Sequence, residues 1–303
     1  MEQLPSIQIK IKLSEIASYL ECELVGEDVL LDGFNLSNRD IVANSVLSYC
    51  GSGSFVKIAN NNASVKALVL TKNLYETLEI EQKKRFSFLL SDTPEWNFYK
   101  AFIHAINLDL YPQYDWDTQL NDSQIMENSI VESGVIIGKN VIIGPNSVVK
   151  SGTIIGDNVT IGSCSVIGSD GFQLIKDDKG LNHTIPHVGR TYIGNNVSIG
   201  DNVTISKSLF EGYTYIDDYV KIDNQVHIGH NCKVEENSVI TANSTMFGSS
   251  SVGKNVWIAP HCAIMNRVHV GDKAFVCACS FVWRNVKEGT KVGGNPAHRI
   301  KEF

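Results

Sequence analysis

The chain has 303 residues, enough to bury a substantial core as one large domain or two smaller ones. Its hydrophobic content of 43% is typical of a soluble globular protein, and its first residues, MEQLPSIQIKIKL, lack the apolar run of a signal peptide or membrane anchor. The net charge of −7 without a basic block argues against nucleic-acid binding, and seven cysteines without metal-binding spacing predict reduced thiols in a cytoplasm.

Residues 1–110 contain no long repeat and predict a separate small α/β domain. A helix is predicted over 12–24, with Ser14 as its N-cap. The apolar run at 63–71 predicts a buried strand, and apolar residues at helical spacing predict a second helix over 93–108.

Residues 111–124 are predicted to be a linker, and beyond them apolar residues recur at every sixth position. These positions, here called rungs, are Ile125, Val131, Ile137, Ile143, Val149, Ile155, Ile161, Ile167, Ile193, Ile199, Ile205, Ile216, Ile222, Ile228, Val234, Ile240, Met246, Val252, Ile258, Ile264, Val270, Val276 and Val282. Gly usually follows the rung and Asn or Asp comes two residues later, as in IGKN (137–140). Because Gly and Asn tolerate positive φ, each unit is predicted to end in a tight turn. A period of six fits neither a helix nor an alternating strand, so the pattern predicts a solenoid of short parallel strands.

Residues 125–287 resemble the left-handed parallel β-helix of hexapeptide acyltransferases, in which three six-residue units form one triangular coil. The predicted fold is therefore mainly β, a left-handed parallel β-helix with a small N-terminal α/β domain and a short tail over 288–303. Two segments leave the repeat, a polar loop at 168–190 and a phase shift at 206–215. Insertions in solenoids usually lie on the binding face, although a tolerated surface loop is the alternative.

The repeat also predicts where His230 lies. Rungs point inward, so His230, two residues after a rung, should be exposed at a corner of the coil. Residues one coil apart are neighbours, which predicts the column Gly212, His230, Gly248, Asn266, Arg284. An imidazole between two glycines stands beside open backbone, the arrangement of a base next to an N–H donor, and a solvated turn histidine is the alternative.

Two sequence neighbours of His230, His227 and Cys232, raise the alternatives of a metal site and of a covalent cysteine mechanism. His227, one residue before a rung, is interpreted as a surface or interface residue. A zinc site built from His227 and His230 would need a third ligand, which a neighbouring subunit could supply, as in the γ-class carbonic anhydrases. Cys232 falls in the small inward column and is predicted to be a core thiol rather than a nucleophile.

Over almost its full length the chain resembles the UDP-3-O-acyl-glucosamine N-acyltransferases of lipid A synthesis. The resemblance is carried by KLSEIASYLECELVGE near the N-terminus, IGSDGF (167–172), IPHVGRTYIG (185–194), KIDNQVHIGHN (221–231) and MFGSS (246–250). It implies that His230 is the general base that deprotonates a sugar amine as the amine attacks a thioester. It also implies that the Gly248 N–H stabilises the oxyanion and that Asp223 and Asn224 contact the substrate.

The chain departs from that family where substrates would bind. Arg267, beside Asn266, stands where the family has a second histidine, and Ser206-Lys207-Ser208 replaces Asp-Arg-Gly. Of the family's uridine motif only the aromatic residues Tyr49 and Phe55 remain, and the family's C-terminal helical extension has no counterpart. These positions are predicted to form an altered substrate site.

The sequence therefore predicts an N-acyltransferase that acts on the amino group of a nucleotide-linked amino sugar, for lipopolysaccharide or another surface polysaccharide. Its expected donor is a short acyl-CoA, and its expected assembly is a cytoplasmic homotrimer with no metal or prosthetic group. One alternative is the lipid A enzyme itself, with acyl carrier protein as donor. Another is a non-catalytic β-helix that serves as a binding or scaffold module.

Overall fold

The computed structural model describes residues 9–39, 41–111, 114, 118 and 122–299, so most of the predicted linker lies outside the described residues. The chain forms two compact units. The first comprises the described parts of Met1–Pro112, Phe172–Val188 and Phe210–Gly212, and the second those of Gln113–Gly171, Gly189–Leu209 and Tyr213–Phe303. Most of the loop that was predicted within the β-helix, 168–190, thus groups with the first unit.

In the described residues, the first unit combines five helices with a five-stranded sheet. The helices are Leu13–Leu20 (α1), Gly53–Asn60 (α2), Lys72–Glu76 (α3), Ile80–Arg85 (α4) and Pro94–Asn107 (α5). The strands before the repeat are Ile11–Lys12 (β1), Glu23–Val25 (β2), Leu30–Leu31 (β3), Gly33–Phe34 (β4), Val46–Tyr49 (β5), Val65–Leu70 (β6) and Ser87–Leu90 (β7). The sheet has the order β2-β7-β6-β5-β4, and all its pairs except β2–β7 are parallel. The strand predicted at 63–71 and the helix predicted at 93–108 are confirmed as β6 and α5.

The prediction that Ser14 caps the first helix is wrong. Helix α1 begins at Leu13 with Lys12 as its N-cap, two residues before Ser14, and the Ser14 hydroxyl instead donates to Asp28 Oδ2 at 2.8 Å. The helix is also shorter than predicted, because Glu21 adopts a left-handed φ of 54° and ends it. The rest of the predicted helical segment forms strand β2.

The second unit is a stack of short parallel strands. The remaining strands of the chain are Gln124–Ile125 (β8), Ile130–Val131 (β9), Ile136–Ile137 (β10), Ile142–Ile143 (β11), Val148–Val149 (β12), Thr153–Ile155 (β13), Thr160–Ile161 (β14), Val166–Ser169 (β15), Leu174–Lys176 (β16), Asn182–Thr184 (β17), Arg190–Ile193 (β18), Ser198–Ile199 (β19), Thr204–Ser206 (β20), Tyr213–Ile216 (β21), Lys221–Ile222 (β22), His227–Ile228 (β23), Lys233–Val234 (β24), Val239–Ile240 (β25), Thr245–Met246 (β26), Ser251–Val252 (β27), Trp257–Ile258 (β28), Ala263–Ile264 (β29), His269–Val270 (β30), Phe275–Val276 (β31), Phe281–Val282 (β32), Lys291–Gly293 (β33) and His298–Arg299 (β34). Strands β16 and β17 form an antiparallel hairpin in the first unit.

Apart from this hairpin and β34, the strands from β8 onward lie in three parallel sheets that the chain visits in turn. We call them the first face (β8 to β33), the second face (β9 to β32) and the third face (β10 to β30). Where the repeat is unbroken, paired residues are 18 positions apart, as for Ile136 and Ile154, so three six-residue units form one coil. The rungs form the core of this unit, and only the earliest, Ile125 and Val131, are partly exposed. The chain is mainly β, as predicted; the left hand of the coil stays a prediction.

The regular sheet extends past its predicted end at residue 287. Strand β33 still pairs in parallel with β31, with Val276 opposite Val292, and β34 then turns back against it. The predicted tail over 288–303 therefore begins inside the last turn of the first face.

Asparagine and glycine have different structural roles in the turns of the coil. Asn140 and Asn158, three residues after their rungs, have positive φ of 55° and 57°. Gly144, directly after its rung, has an ordinary φ, but a methyl group there would lie 2.7 Å from the carbonyl carbon of Gly162 on the next coil. The prediction of positive φ is therefore right for the asparagines and wrong for glycines such as Gly144, which instead allow close stacking of coils.

Two residues bury the short segment Phe210–Gly212 in the first unit. The Phe210 ring is fully buried and packs edge-to-face on Phe102, with 5.0 Å between ring centroids. The Glu211 carboxylate, only 2% exposed, accepts the Phe34 N–H at 3.2 Å and the Tyr111 hydroxyl at 2.7 Å. A carboxylate this deeply buried must be neutral or well supplied with donors.

Burial raises the pKa of Glu211 from 4.5 to about 7, and the nearby charge of Asp32 also raises it. The folded chain therefore holds this proton more tightly than the unfolded chain, and stability falls as pH rises from 4.5 to about 7. We expect Glu211→Gln to abolish this loss, which amounts to about 3 kcal/mol. Urea unfolding of the parent and of Glu211→Gln, at about pH 5 and about pH 8, measures how much unfolding free energy each protein loses between the two pH values. If the variant loses as much stability as the parent between the two pH values, Glu211 is not the group responsible.

Candidate active site

The turns that link the second face to the third face carry His230, and we call this edge of the second unit the histidine corner. The flanking rungs Ile228 and Val234 are completely buried. His230 lies between them in the turn and is half-buried. The predicted position at a corner of the coil is confirmed, but the side chain is half-buried rather than exposed as predicted.

Both interruptions of the repeat leave the coil at the histidine corner. Strand β15 of the second face ends at Ser169, and the third face resumes only at Arg190. On the next coil β20 ends at Ser206, and the third face resumes at Tyr213. The pairing of β20 with β23 puts this second break on the coil just before His230. Both breaks therefore leave the coil at the corner that carries the histidine, as expected for a binding edge of a solenoid.

A hydrogen-bond network determines which nitrogen of His230 carries the proton. The Asn231 Oδ1 atom accepts the Leu209 N–H at 3.1 Å and lies 2.9 Å from His230 Nδ1. The Asn231 Nδ2 group donates to the hydroxyl of Ser208. Because an amide oxygen only accepts, Nδ1 must be the donor in the pair with His230. In a neutral ring Nε2 then carries the lone pair and is the basic nitrogen of the ring.

The Nε2 side of the ring lies against Gly248 on the next coil. A methyl group on Gly248 would come within 2.5 Å of His230 Nε2. In the equivalent turn at Lys139 the N–H donates to Asp157 Oδ1 at 2.7 Å, whereas the Gly248 N–H finds no acceptor among the described residues. A basic ring nitrogen and an unclaimed backbone donor therefore lie on adjacent coils, as the predicted pair requires.

The preceding coil differs from the prediction. Ile205 is paired with Ile228, so the residue in register with His230 is Lys207 rather than the predicted Gly212. Gly212 groups with the first unit, because the rungs Ile205 and Ile216 are separated by extra residues that leave the coil. His230 is thus flanked by a lysine on one side and by a glycine on the other.

Asp223 and Asn224 lie at another corner, in the turn that links the first face to the second. Asp223 accepts the Asn224 N–H at 2.8 Å and the Ala242 N–H at 3.2 Å. Asn224 Oδ1 accepts the Asp201 N–H at 2.7 Å. Both side chains thus stabilise stacked turns, and the fold of a single chain does not bring them to the histidine corner.

Asn266 and Arg267 are exposed at the histidine corner, two coils beyond His230. An apolar strip begins between them and the histidine. It consists of Phe247, Met265 and Trp283, which follow their rungs on three successive coils and are 41%, 39% and 42% exposed. We had not predicted this strip, although its spacing of 18 residues is visible in the sequence.

The two predicted aromatic contacts of a nucleotide base lie in the first unit. Tyr49 ends strand β5, and its hydroxyl donates to Glu95 Oε1 at 2.7 Å. Phe55 lies on helix α2 and is 40% exposed. Phe55 presents an open ring, whereas the Tyr49 hydroxyl is already engaged.

The other candidate groups have structural partners. The Nδ1 atom of His227 lies 2.7 Å from Thr204 Oγ1, and partial burial lowers the pKa of this histidine. Cys232 is completely buried, as predicted, and burial raises the pKa of its thiol to about 11, so a thiolate nucleophile is disfavoured. Among the described residues, no three His, Cys, Asp or Glu side chains are arranged to hold a metal ion.

Comparisons with known proteins agree with the repeat. The family of bacterial transferase hexapeptides (six repeats) matches residues 121–151, 137–169 and 213–248. The UDP-N-acetylglucosamine acyltransferase of Campylobacter jejuni superposes with a TM-score of 0.54 at 24% identity, over 60% of this chain and 69% of that one. The Arabidopsis UDP-N-acetylglucosamine acyltransferase gives a TM-score of 0.44 at 22% identity, over 61% and 72%. No curated protein matches by sequence.

The likeness to the Campylobacter enzyme establishes the fold of the repeat region, a hexapeptide β-helix. In the described part of the chain, no helix has the length and apolar character that crossing a bilayer requires.

Proposed function

We propose that this chain is an N-acyltransferase that moves an acyl group from a thioester, preferably a short acyl-CoA, to the amino group of a nucleotide-linked amino sugar. The observation that carries the proposal is the proximity of His230 Nε2 to Gly248, whose N–H is unclaimed within the described chain. The hexapeptide-transferase match and the fold of an acyltransferase named for a UDP-sugar support it.

The reaction uses these two groups in one direct transfer. The sugar amine attacks the thioester carbonyl, and His230 Nε2 takes the proton that the nitrogen loses as the C–N bond forms. The carbonyl oxygen becomes negatively charged and accepts the Gly248 N–H. The C–S bond then breaks, and the leaving thiolate takes the proton back from His230. The thioester is already activated, so the scheme needs no metal or prosthetic group.

Four further residues are proposed to contact the nucleotide-linked sugar, two aromatic residues in the first unit and two polar residues at the histidine corner. Phe55 and Tyr49 would stack on the nucleotide base, since aromatic rings bind any base through its π-face. Asn266 and Arg267 would contact substrate at the histidine corner, where both are exposed.

Assembly as a homotrimer would complete the site. Asp223 and Asn224 lie at a corner other than that of His230, so a neighbouring subunit is needed to bring them to the histidine. We expect a solution mass three times the 33.4 kDa of one chain by light scattering. Full activity from a monomer would contradict a site shared between subunits.

The apolar strip favours a second candidate donor, a longer acyl chain on acyl carrier protein. Phe247, Met265 and Trp283 start one coil from His230 and run away from it. Burying such a strip against an alkyl chain would be favourable in proportion to the area covered. This donor would make the chain an enzyme of the lipid A type.

A mass-spectrometric screen of nucleotide amino sugars against acetyl-CoA and hydroxyacyl carrier protein tests the proposal. The expected product is one acceptor heavier by one acyl group, together with one equivalent of free thiol. A non-catalytic scaffold would consume no thioester with any acceptor, and a zinc hydrase would contain metal and lose its activity to a chelator.

A further inference from the structure

A lysine–aspartate pair at the histidine corner has no part in the proposed reaction. Ser169 pairs with Ser206 across β15 and β20, so Asp170 and Lys207 follow in register on adjacent coils. Lys207 Nζ lies 2.9 Å from Asp170 Oδ1. The lysine side chain is 24% exposed and the aspartate 54% exposed. The ammonium group is thus largely enclosed but reachable from solvent, one coil before His230.

We propose that Lys207 forms an anion subsite that binds the diphosphate of the nucleotide-linked acceptor in exchange for Asp170. The assignment of the anion to the acceptor rests on the proposed function. The partial exposure of Lys207 and its place one coil before His230 are independent of that function.

The distance from His230 selects the acceptor over the donor. The backbone of Lys207 is one coil, about 4.8 Å, from that of His230, and the ammonium is held by Asp170 on the coil farther from the histidine. Once it leaves Asp170, this long side chain can place its ammonium within roughly 5–10 Å of the imidazole. In a nucleotide sugar the amino group and the phosphate-bearing carbon belong to the same ring, which matches this spacing. In coenzyme A or acyl carrier protein the nearest phosphate lies about a dozen bonds from the thioester, too far for Lys207 when the carbonyl is at His230.

Exchange of Asp170 for a phosphate is favourable for two reasons. Ion pairs with exposed partners contribute little stability, so displacing a half-exposed carboxylate is cheap. A diphosphate also carries more charge than one carboxylate and accepts charge-assisted hydrogen bonds from an ammonium. Asp170 would keep Lys207 compensated until the substrate arrives.

The chain contains a matched control pair at the same corner. Lys150 Nζ lies 2.8 Å from Glu132 Oε1, and both side chains are partly exposed. The strand pairing places Lys150 three coils before His230, too distant to share a ligand with it. The charge of Lys207 also helps to lower the pKa of Glu132, so the control pair lies in the same electrostatic surroundings. Removing the Lys150 charge should nevertheless not affect substrate binding, because Lys150 cannot contact a ligand that reaches His230.

Equilibrium dialysis with radiolabelled pyrophosphate, and separately with coenzyme A, tests the subsite on the full-length protein. We expect Lys207→Gln to weaken pyrophosphate binding about 10-fold and Lys207→Arg to retain it. Asp170→Asn should tighten it, and Lys150→Gln should leave it unchanged. Coenzyme A binding should not respond to Lys207→Gln.

The proposal is overturned if the parent protein binds no pyrophosphate, if Lys150→Gln weakens binding as much as Lys207→Gln, or if only coenzyme A responds. In the acyl-transfer assay, Lys207→Gln should raise KM for the nucleotide sugar and largely preserve kcat. Lys207-dependent pyrophosphate binding without any acyl transfer would refute the proposed function and leave the anion subsite standing.

Discussion

Replacement of His230 by alanine is expected to lower kcat for amine-dependent thiol release about 10²–10⁴-fold. The variant keeps the Gly248 N–H but has lost the imidazole that takes the proton from the attacking nitrogen. The fold should not suffer, because His230 is half-buried at a turn and adds nothing to the rung core. Initial rates with a thiol reagent at saturating donor and acceptor measure the effect.

His298 provides the control. It is an exposed histidine on β34, five strands along the first face from β22, which precedes Asp223. His298→Ala should therefore retain the parent rate, and both variants should unfold at similar temperatures. A His230→Ala enzyme as fast as the parent would remove His230 from the mechanism.

Replacement of Gly248 by alanine is expected to lower the same rate at least about 100-fold. The backbone at Gly248 is not in the left-handed region, so alanine can adopt it, and the N–H is retained. The added methyl group would meet His230 Nε2 at 2.5 Å and Cε1 at 2.8 Å, so the ring must move out of its place. The loss should appear in kcat, while circular dichroism stays that of the parent.

A double-variant cycle distinguishes this mechanism from general damage at the turn. If the methyl group acts by displacing the imidazole, adding Gly248→Ala to His230→Ala should cause little further loss. Multiplicative losses in the double variant would show that Gly248→Ala harms catalysis without acting on His230.

The repeat made most of the second unit predictable. The period of six with inward rungs placed His230 on the outside of the coil, and the resemblance to hexapeptide acyltransferases implied three units per coil and hence the 18-residue register. The interruptions did not follow, because the length of an insertion does not reveal on which side of it the register resumes. For this reason Gly212 was placed beside His230, where the structure has Lys207.

The six-residue pattern also could not predict contacts between residues that are distant in sequence. Nothing local in the sequence shows that Phe210 is buried against the aromatic core of the first unit, or that residues 172–188 group with that unit. Ser14 failed as a cap because Asp28, distant in sequence, binds its hydroxyl. Local capping preferences are weak when a tertiary partner competes.

The candidate site was predicted in part. Spacing placed Gly248 beside His230, and the structure agrees. Asn231 was read as a turn former, and its positive φ of 59° confirms this, but its side chain also orients the imidazole. A residue with two simultaneous roles has no separate sequence signal, since the turn alone already accounts for the asparagine.

The ¹⁵N spectrum of histidine-labelled protein tests the central claim most directly, with His230→Ala used to assign the signal. The claim is that Asn231 holds the neutral ring with its proton on Nδ1, so that the unprotonated Nε2 faces Gly248. The account predicts a protonated Nδ1 and an unprotonated Nε2 for the neutral His230 ring. The opposite tautomer, with the proton on Nε2, would leave no base beside Gly248 and would contradict the mechanism.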